Sequence, residues 1–237
     1  MNLLLLHKHE LQKDGSVILR DSRHHHIRTV LKSAARDTLK VGILNGDTGS
    51  AVVGHSNERE TRLIDIHCTS SPPAKLPITL ILALPRPKAA RRICRTAAEL
   101  GIEQLILLNS YRVEKSYWQS PLLTQEKITG YFREGLEQAG DTVLPIVQFE
   151  KRFKPFVEDH LPALCQNKRA LIAHPYSDSC SPPPAPEPTI LAVGPEGGFI
   201  PYEVEKLRGA GMQCMTLGQR ILRVESAVPT LLAKLFP

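Results

Sequence analysis

Val193-Gly-Pro-Glu-Gly-Gly-Phe-Ile-Pro-Tyr-Glu-Val-Glu205 joins an apolar, β-prone run to a helical pattern through a glycine-rich turn. Strand, glycine turn and helix is the construction that cradles phosphates, so anion binding is the first chemistry to weigh. The details oppose it. A Walker loop needs a Lys followed by Ser or Thr after its last glycine, and none arrives here; the dinucleotide fingerprint G-x-G-x-x-G fails too. Pro195 lacks the N–H that a phosphate nest uses, and Glu196 repels an anion. A ligand of this turn is expected to be neutral or cationic beside Glu196. Pro201 suits the first position of the helix that follows.

A second glycine-marked turn comes soon after, Thr216-Leu-Gly-Gln-Arg-Ile-Leu-Arg-Val-Glu-Ser-Ala227. Two strand-end loops side by side at the carboxyl edge of a parallel sheet would form a crevice for a small ligand. Charge is concentrated elsewhere. On a helix, Lys88, Arg91, Arg92 and Arg95 share one face, opposite Ala90, Ile93, Cys94 and Ala97. Such a face is either solvated or set against phosphates. Arg23-His-His-His-Ile-Arg28 is basic as well. Its adjacent histidines diverge and cannot share one metal. The run reads equally as a surface near nucleic acid or as a plain helix start. Arg23, His26, Arg28, Lys88, Arg91, Arg92 and Arg112 are the candidate RNA contacts. Glu137-Gln-Ala-Gly140 closes a helix with a C-capping glycine, and on pattern alone Glu137 is an ordinary polar residue.

These residues need a scaffold. Before the proline-rich seam Ser70–Pro77, short strand patterns at Leu3–Leu6, Val17–Leu19, Val41–Leu44, Ala51–Val53 and Arg62–Ile66 alternate with turn signals. They predict a small, mostly β domain of barrel outline, with one helical piece around His25–Leu31. After the seam, apolar strands at Ile78–Leu84, Gln104–Leu108, Leu144–Val147, Leu171–Ala173 and Ile190–Val193 alternate with helices. The helices are predicted at Lys88–Leu100, Leu122–Ala139, Tyr202–Ala210 and Ser226–Phe236. That rhythm predicts a parallel sheet covered on both faces. Ser181–Pro188 is proline-rich and reads as a surface loop.

With 237 residues the chain is long enough for two modest domains. Five scattered cysteines without a C-x-x-C pair argue against a disulfide framework and a zinc site, and for reduced thiols in the cytoplasm. No apolar run matches a membrane span, and the first residues do not resemble a secretory leader. The net charge of +6 permits nucleic-acid binding without establishing it.

The pairing of V-G-P-E-G-G-F with L-G-x-R-I-L-R-x-E-S-A resembles the C-terminal signature of SPOUT methyltransferases of the RsmE type. His25-His26-Ile27, Val30-Leu31-Lys32, Ala98-Glu-Leu-Gly101, Glu137-Gln-Ala-Gly140 and His174-Pro175 resemble further family motifs, so the likeness runs through most of the chain. The resemblance implies an α/β fold: a PUA-like RNA-binding β-barrel at 1–72 and a SPOUT domain at 73–237, with a trefoil knot over about 170–237. It implies S-adenosyl-L-methionine as methyl donor, N3 of a uridine in 16S rRNA of the small ribosomal subunit as target, and a cytoplasmic homodimer without metal.

Carried over by motif, His174, Gly194, Pro195, Glu196, Gly197, Gly198, Leu217, Gly218, Ile221 and Leu222 would line the cofactor pocket. Arg223 would hold the target nucleotide, or else pair with Glu225 or Glu196. Glu137 and Glu225 are candidates for the base. The chain departs from the family at Asp141, where a cation is usual, and at Ile200 and Val224, where hydroxyls are. The alternatives are a methyltransferase for another rRNA or tRNA nucleotide, and a catalytically silent RNA-binding or ribosome-assembly protein.

Overall fold

Alternating apolar residues punctuated by Asp14-Gly15 and Asn45-Gly46 fold the N-terminal residues into a five-stranded sheet. A computed structural model describes residues 2–176 and 180–236. The sheet's strands are β1 (Leu4–Leu6), β2 (Val17–Leu19), β3 (Thr38–Ile43), β4 (Thr48–Ser56) and β5 (Thr61–Ser70), in the order β1-β3-β4-β5-β2. β1 runs parallel to β3, and the other neighbours are antiparallel. Leu4, Leu19, Val41, Val53 and Leu63 come from all five strands yet share one core with Ile27, so the sheet curls around a single interior. Asp65 takes a positive φ of 49° where the β4–β5 register shifts, the local kink of a bulge. The helical piece expected around His25–Leu31 begins earlier, as α1 (Ser22–His26), and continues as a π turn, Ile27–Leu31. Asp21 caps it by accepting from the Arg23 N–H.

The chain divides into two compact units. One holds Met1–Ala74 together with Arg133–Leu144, and the other holds Lys75–Phe132 and Pro145–Pro237. The first unit's main segment ends in the proline-rich stretch, and Arg133–Leu144 returns to it. Its place has a physical cause. The N–H groups of Asn2 and Leu3 donate to the Glu137 carbonyl. At the β3–β4 turn, Asn45 N–H donates to the Thr142 carbonyl, and the Thr142 hydroxyl to the Gly46 carbonyl.

The second unit is the α/β part. Its strands are β6 (Leu76–Ala83), β7 (Ile102–Leu108), β8 (Ile146–Glu150), β9 (Arg169–Ala173), β10 (Thr189–Val193) and β11 (Gln213–Met215). They form one sheet in the order β11-β9-β10-β6-β7-β8, and every pairing is parallel. β10 is buried throughout, as a central strand covered on both faces must be. The helices after β6 are α2 (Pro87–Glu99), α3 (Gln125–Ala139), of which the residues from Arg133 belong to the first unit, α4 (Phe153–Pro155), α5 (Leu161–Cys165), α6 (Pro201–Gly209) and α7 (Val224–Leu235). α2 buries Ala90, Ile93, Cys94 and Ala97, the side predicted from their spacing. The turn Pro121–Leu123, expected as the start of α3, is a separate 3-10 turn. Residues 181–188 form no helix or strand, and Arg169 holds them by donating to the Pro183 and Ala185 carbonyls.

Candidate functional site

β9, β10 and β11 end level with one another: Ala173 pairs in register with both Val193 and Met215. The loops that leave these three carboxyl ends surround a cavity of about 560 Å³. The β10 loop is the glycine turn Gly194–Phe199, and the β11 loop runs from Thr216 to Leu222. The sequence predicted these two loops side by side. The strand order places β9 between them, so His174-Pro175 forms the floor that separates them.

The glycine turn folds tightly on itself. The Gly198 N–H donates to the Pro195 carbonyl at 2.8 Å, and Gly198 has φ +71°, a conformation that suits glycine. A Cβ on Gly194 would lie 3.0 Å from the Phe199 nitrogen, so the start of the turn has no room for a side chain. Phe199 is buried and anchors the turn from below.

The absence of a hydroxyl at Ile200 is offset by Glu203. Its carboxylate accepts from the Ile200 N–H at 3.0 Å, which is half of a capping box; isoleucine has no oxygen with which to supply the other half. The second oxygen of Glu203 accepts from the Tyr111 N–H at 2.7 Å. This carboxylate is buried, and both hydrogen bonds offset the cost of burying its charge. It therefore fastens the loop after β7 to the start of α6. From that loop Arg112 reaches the glycine turn and donates from Nη1 to the Gly197 carbonyl.

Arg86, the N-cap residue of α2 in the loop after β6, joins two more segments. Its N–H donates to Glu196 Oε1 at 3.1 Å, and its Nη2 lies 3.5 Å from Glu225 Oε1. The guanidinium Nε stands 3.9 Å from Glu196, a looser pair. The alternative reading of Arg223 paired it with one of these acids; in the structure their partner is Arg86. His174 receives a T-shaped contact from the Tyr176 ring at 5.8 Å, and partial burial pushes its pKa down.

Of the ten residues expected around the cofactor, nine line the cavity: His174, Gly194, Pro195, Glu196, Gly197, Gly198, Leu217, Ile221 and Leu222. Gly218 does not; it bends the β11 loop with φ +116°. The three catalytic candidates are also absent from the lining. Arg223 is the exposed N-cap residue of α7. Glu225 faces a separate cleft beside Arg92 and Pro229. Glu137 belongs to the N-terminal unit, where burial pushes its pKa up and the Leu5 N–H bonds it.

The RNA candidates divide similarly. Lys88, Arg91 and Arg92 are exposed along α2, and Arg91 lies over the Tyr131 ring at 5.2 Å. Arg28 is exposed. Arg23 is not available: it is 5% exposed, and donates to Glu10, Asp21 and the Leu5 carbonyl. Its guanidinium holds strands and turns together instead of facing solvent. His26 is half-buried, and burial lowers its pKa, so it adds little positive charge at neutral pH. Arg112 lines the cavity and braces its glycine turn. Arg86, Tyr176, Arg208 and Arg220 were not singled out from sequence, although Arg220 lies within the motif after β11 and Arg86 at the start of the basic stretch of α2.

Residues 72–235 match the RNA methyltransferase domain family. The chain is 31% identical over 232 residues to a Treponema pallidum protein named ribosomal RNA small subunit methyltransferase E, covering 96% of this chain and 87% of that one. A Synechocystis protein of the same name is 27% identical, covering 94% of this chain and 73% of its own. Among solved structures, the Neisseria gonorrhoeae ribosomal RNA small subunit methyltransferase E, determined with S-adenosyl methionine bound, superposes with a TM-score of 0.76 at 20% identity. That match covers 98% of this chain and 95% of the other. A domain match across most of the chain, a full-length relative and a shared fold agree: the chain belongs to the ribosomal RNA small subunit methyltransferase E family of RNA methyltransferases.

Proposed function

We propose that this protein is an S-adenosyl-L-methionine-dependent methyltransferase that modifies N3 of a uridine in 16S rRNA of the small ribosomal subunit. The observation that carries the reading is the convergence of three strand-end loops on one cavity lined by the residues of both C-terminal motifs. Family membership supports the reaction class, and the names of the relatives support the substrate.

The cavity suits the cofactor chemically. Ile221 and Leu222 are apolar yet 66% and 37% exposed, and a flat adenine ring would cover them. The glycine turn lets backbone amides and carbonyls approach a ligand closely. Glu196 favours a cation over an anion. Bound there, S-adenosyl-L-methionine supplies a methyl group on a positively charged sulfur, open to attack by a ring nitrogen.

N3 of uridine is a weakly acidic imide, so its proton must leave for the nitrogen to attack. The proton acceptors the cavity offers are His174, kept largely neutral by burial, and the carboxylates of Glu196 and Glu205. Glu137 and Glu225 do not stand there. Holding the uridine in line with the methyl group supplies much of the rate, because two reactants are then brought together as one. Lys88 and Arg92 on α2 and Arg28 in the N-terminal unit are the basic residues offered to the RNA backbone. The resemblance carries a cytoplasmic homodimer as well, which light scattering of the purified protein checks.

Modified uridines mapped in rRNA from a deletion strain test the reading. Methylation of N3 removes a Watson–Crick donor and arrests reverse transcription, so one arrest should vanish on deletion and return with the gene. An unchanged profile overturns the 16S assignment. Failure of the purified protein to bind S-adenosyl-L-methionine in calorimetry would favour a silent RNA-binding protein of the same fold.

A further inference from the structure

One side of α6 forms a wall of the cavity: Pro201, Val204, Glu205 and Arg208 line it at i, i+3, i+4 and i+7 spacing. Seven residues of helix advance about 10 Å, so Arg208 stands about that far along the helix from the end nearest the glycine turn. Arg220, from the β11 loop, lines the same cavity, as does Tyr176 after β9. Arg208 and Arg220 are exposed, and among the described residues neither side chain has an ion pair or a hydrogen bond. By contrast Glu196, beside the glycine turn, is engaged by Arg86. Among the described residues, the cavity lining thus includes two cations without partners. Tyr176 is 77% exposed while braced against His174, an unusual exposure for a ring that a core could have used.

Guanidiniums for a phosphodiester and an open aromatic ring for a base are the two components with which proteins hold single-stranded nucleic acid. One carboxylate, such as that of an amino acid, is satisfied by one guanidinium. Two on separate elements, with a ring, fit an extended strand better.

We propose that Tyr176, Arg208 and Arg220 form a nucleotide subsite for single-stranded RNA in this cavity, with a phosphodiester on the two arginines and a base stacked on the tyrosine. This rests on the RNA methyltransferase reading and adds to it the residues that grip the strand beside the reacting base.

The test uses the full-length protein, a single-stranded oligouridylate and fluorescence anisotropy across a salt series. The double variant Arg208→Gln, Arg220→Gln should bind more weakly, with the slope of log affinity against log salt reduced by about 0.7, the value for one phosphate. Tyr176→Ala should weaken binding roughly tenfold without changing the slope, and Tyr176→Phe should retain it. Calorimetric affinity for S-adenosyl-L-methionine should fall less than oligouridylate affinity in each weakened variant. Unchanged oligouridylate affinity and slope in the arginine variant overturns the subsite, and unchanged affinity in Tyr176→Ala removes its stacking half. A loss confined to S-adenosyl-L-methionine affinity assigns the arginines to the cofactor carboxylate and also overturns it. Failure of the underlying reading is seen separately, as a wild-type protein that binds no S-adenosyl-L-methionine.

Discussion

Arg112 occupies the space that a side chain at position 197 would need. Its Nη1 donates to the Gly197 carbonyl, and a Cβ built on Gly197 would lie 2.9 Å from Arg112 Cδ. A valine at 197 therefore collides first with Arg112, before it can fill the cavity. Gly197→Val is expected to weaken S-adenosyl-L-methionine binding roughly tenfold, the scale of an overpacked contact. Gly197→Ala should do less, because the end of a flexible side chain can shift. Adding Arg112→Ala to Gly197→Ala should recover affinity, and titration calorimetry on the three variants checks the order.

Arg86 joins the glycine turn to α7 through Glu196 and Glu225. All three side chains reach solvent, so the ion pairs are weak individually, about 0.2–1 kcal/mol each. Arg86→Gln should lower affinity for S-adenosyl-L-methionine only severalfold at low salt. The gap between variant and wild type should narrow at high salt, where exposed charges are screened. A gap that widens with salt would show that Arg86 acts in some other way.

Glu137 lies outside the cavity lining, and its raised pKa has a structural cause: burial disfavours the charged form, only partly offset by Arg133 and Arg23. The folded state then holds the proton more tightly than the unfolded chain. Stability from this group is full below the unfolded pKa, near 4.5, and declines as pH rises through the folded value. Glu137→Gln should raise the melting temperature at pH 7, on the order of 2 °C, and change it little at pH 4. Methyl transfer should persist, which separates Glu137 from a catalytic base.

Cys94 faces inward from α2, and burial pushes its thiol up to about 12 from an ordinary 9.0. Above pH 9 the unfolded chain releases this proton and the folded chain keeps it. Stability therefore falls as pH rises from about 9 toward 12, by at most about 1.4 kcal/mol per pH unit. Urea melts between pH 8.5 and 10 should show a shallower decline for Cys94→Ala than for wild type.

Elements with a strong local signal were legible in the sequence. The stripe Ala90, Ile93, Cys94 and Ala97 marked the buried side of α2, and the unbroken apolar runs marked β6 and β10. Residues 153–165 gave no such signal, because Pro155, Pro162 and a π turn interrupt any single period. β11 is three residues long and begins with an exposed Gln213, too short to declare itself. Motif residues marked most of the cavity since they lie in two short stretches. Tyr176 and Arg208 come to it from the loop after β9 and from α6, through a strand order that no local pattern encodes. Ile200 illustrates the same limit: its missing hydroxyl was visible, but the role of Glu203 required the folded turn.

The order β11-β9-β10 also bears on when the protein can work. β9 and β10 leave the ribosome first, and they can pair while the glycine turn forms behind them. The far wall, Thr216–Leu222, follows all the strands of its sheet in the chain, and it is set in place only when β11 adds to β9. A nascent chain halted before that point carries one wall of the cavity and nothing opposite it. The cavity thus stays open on that side until β11 and the loop after it have been made.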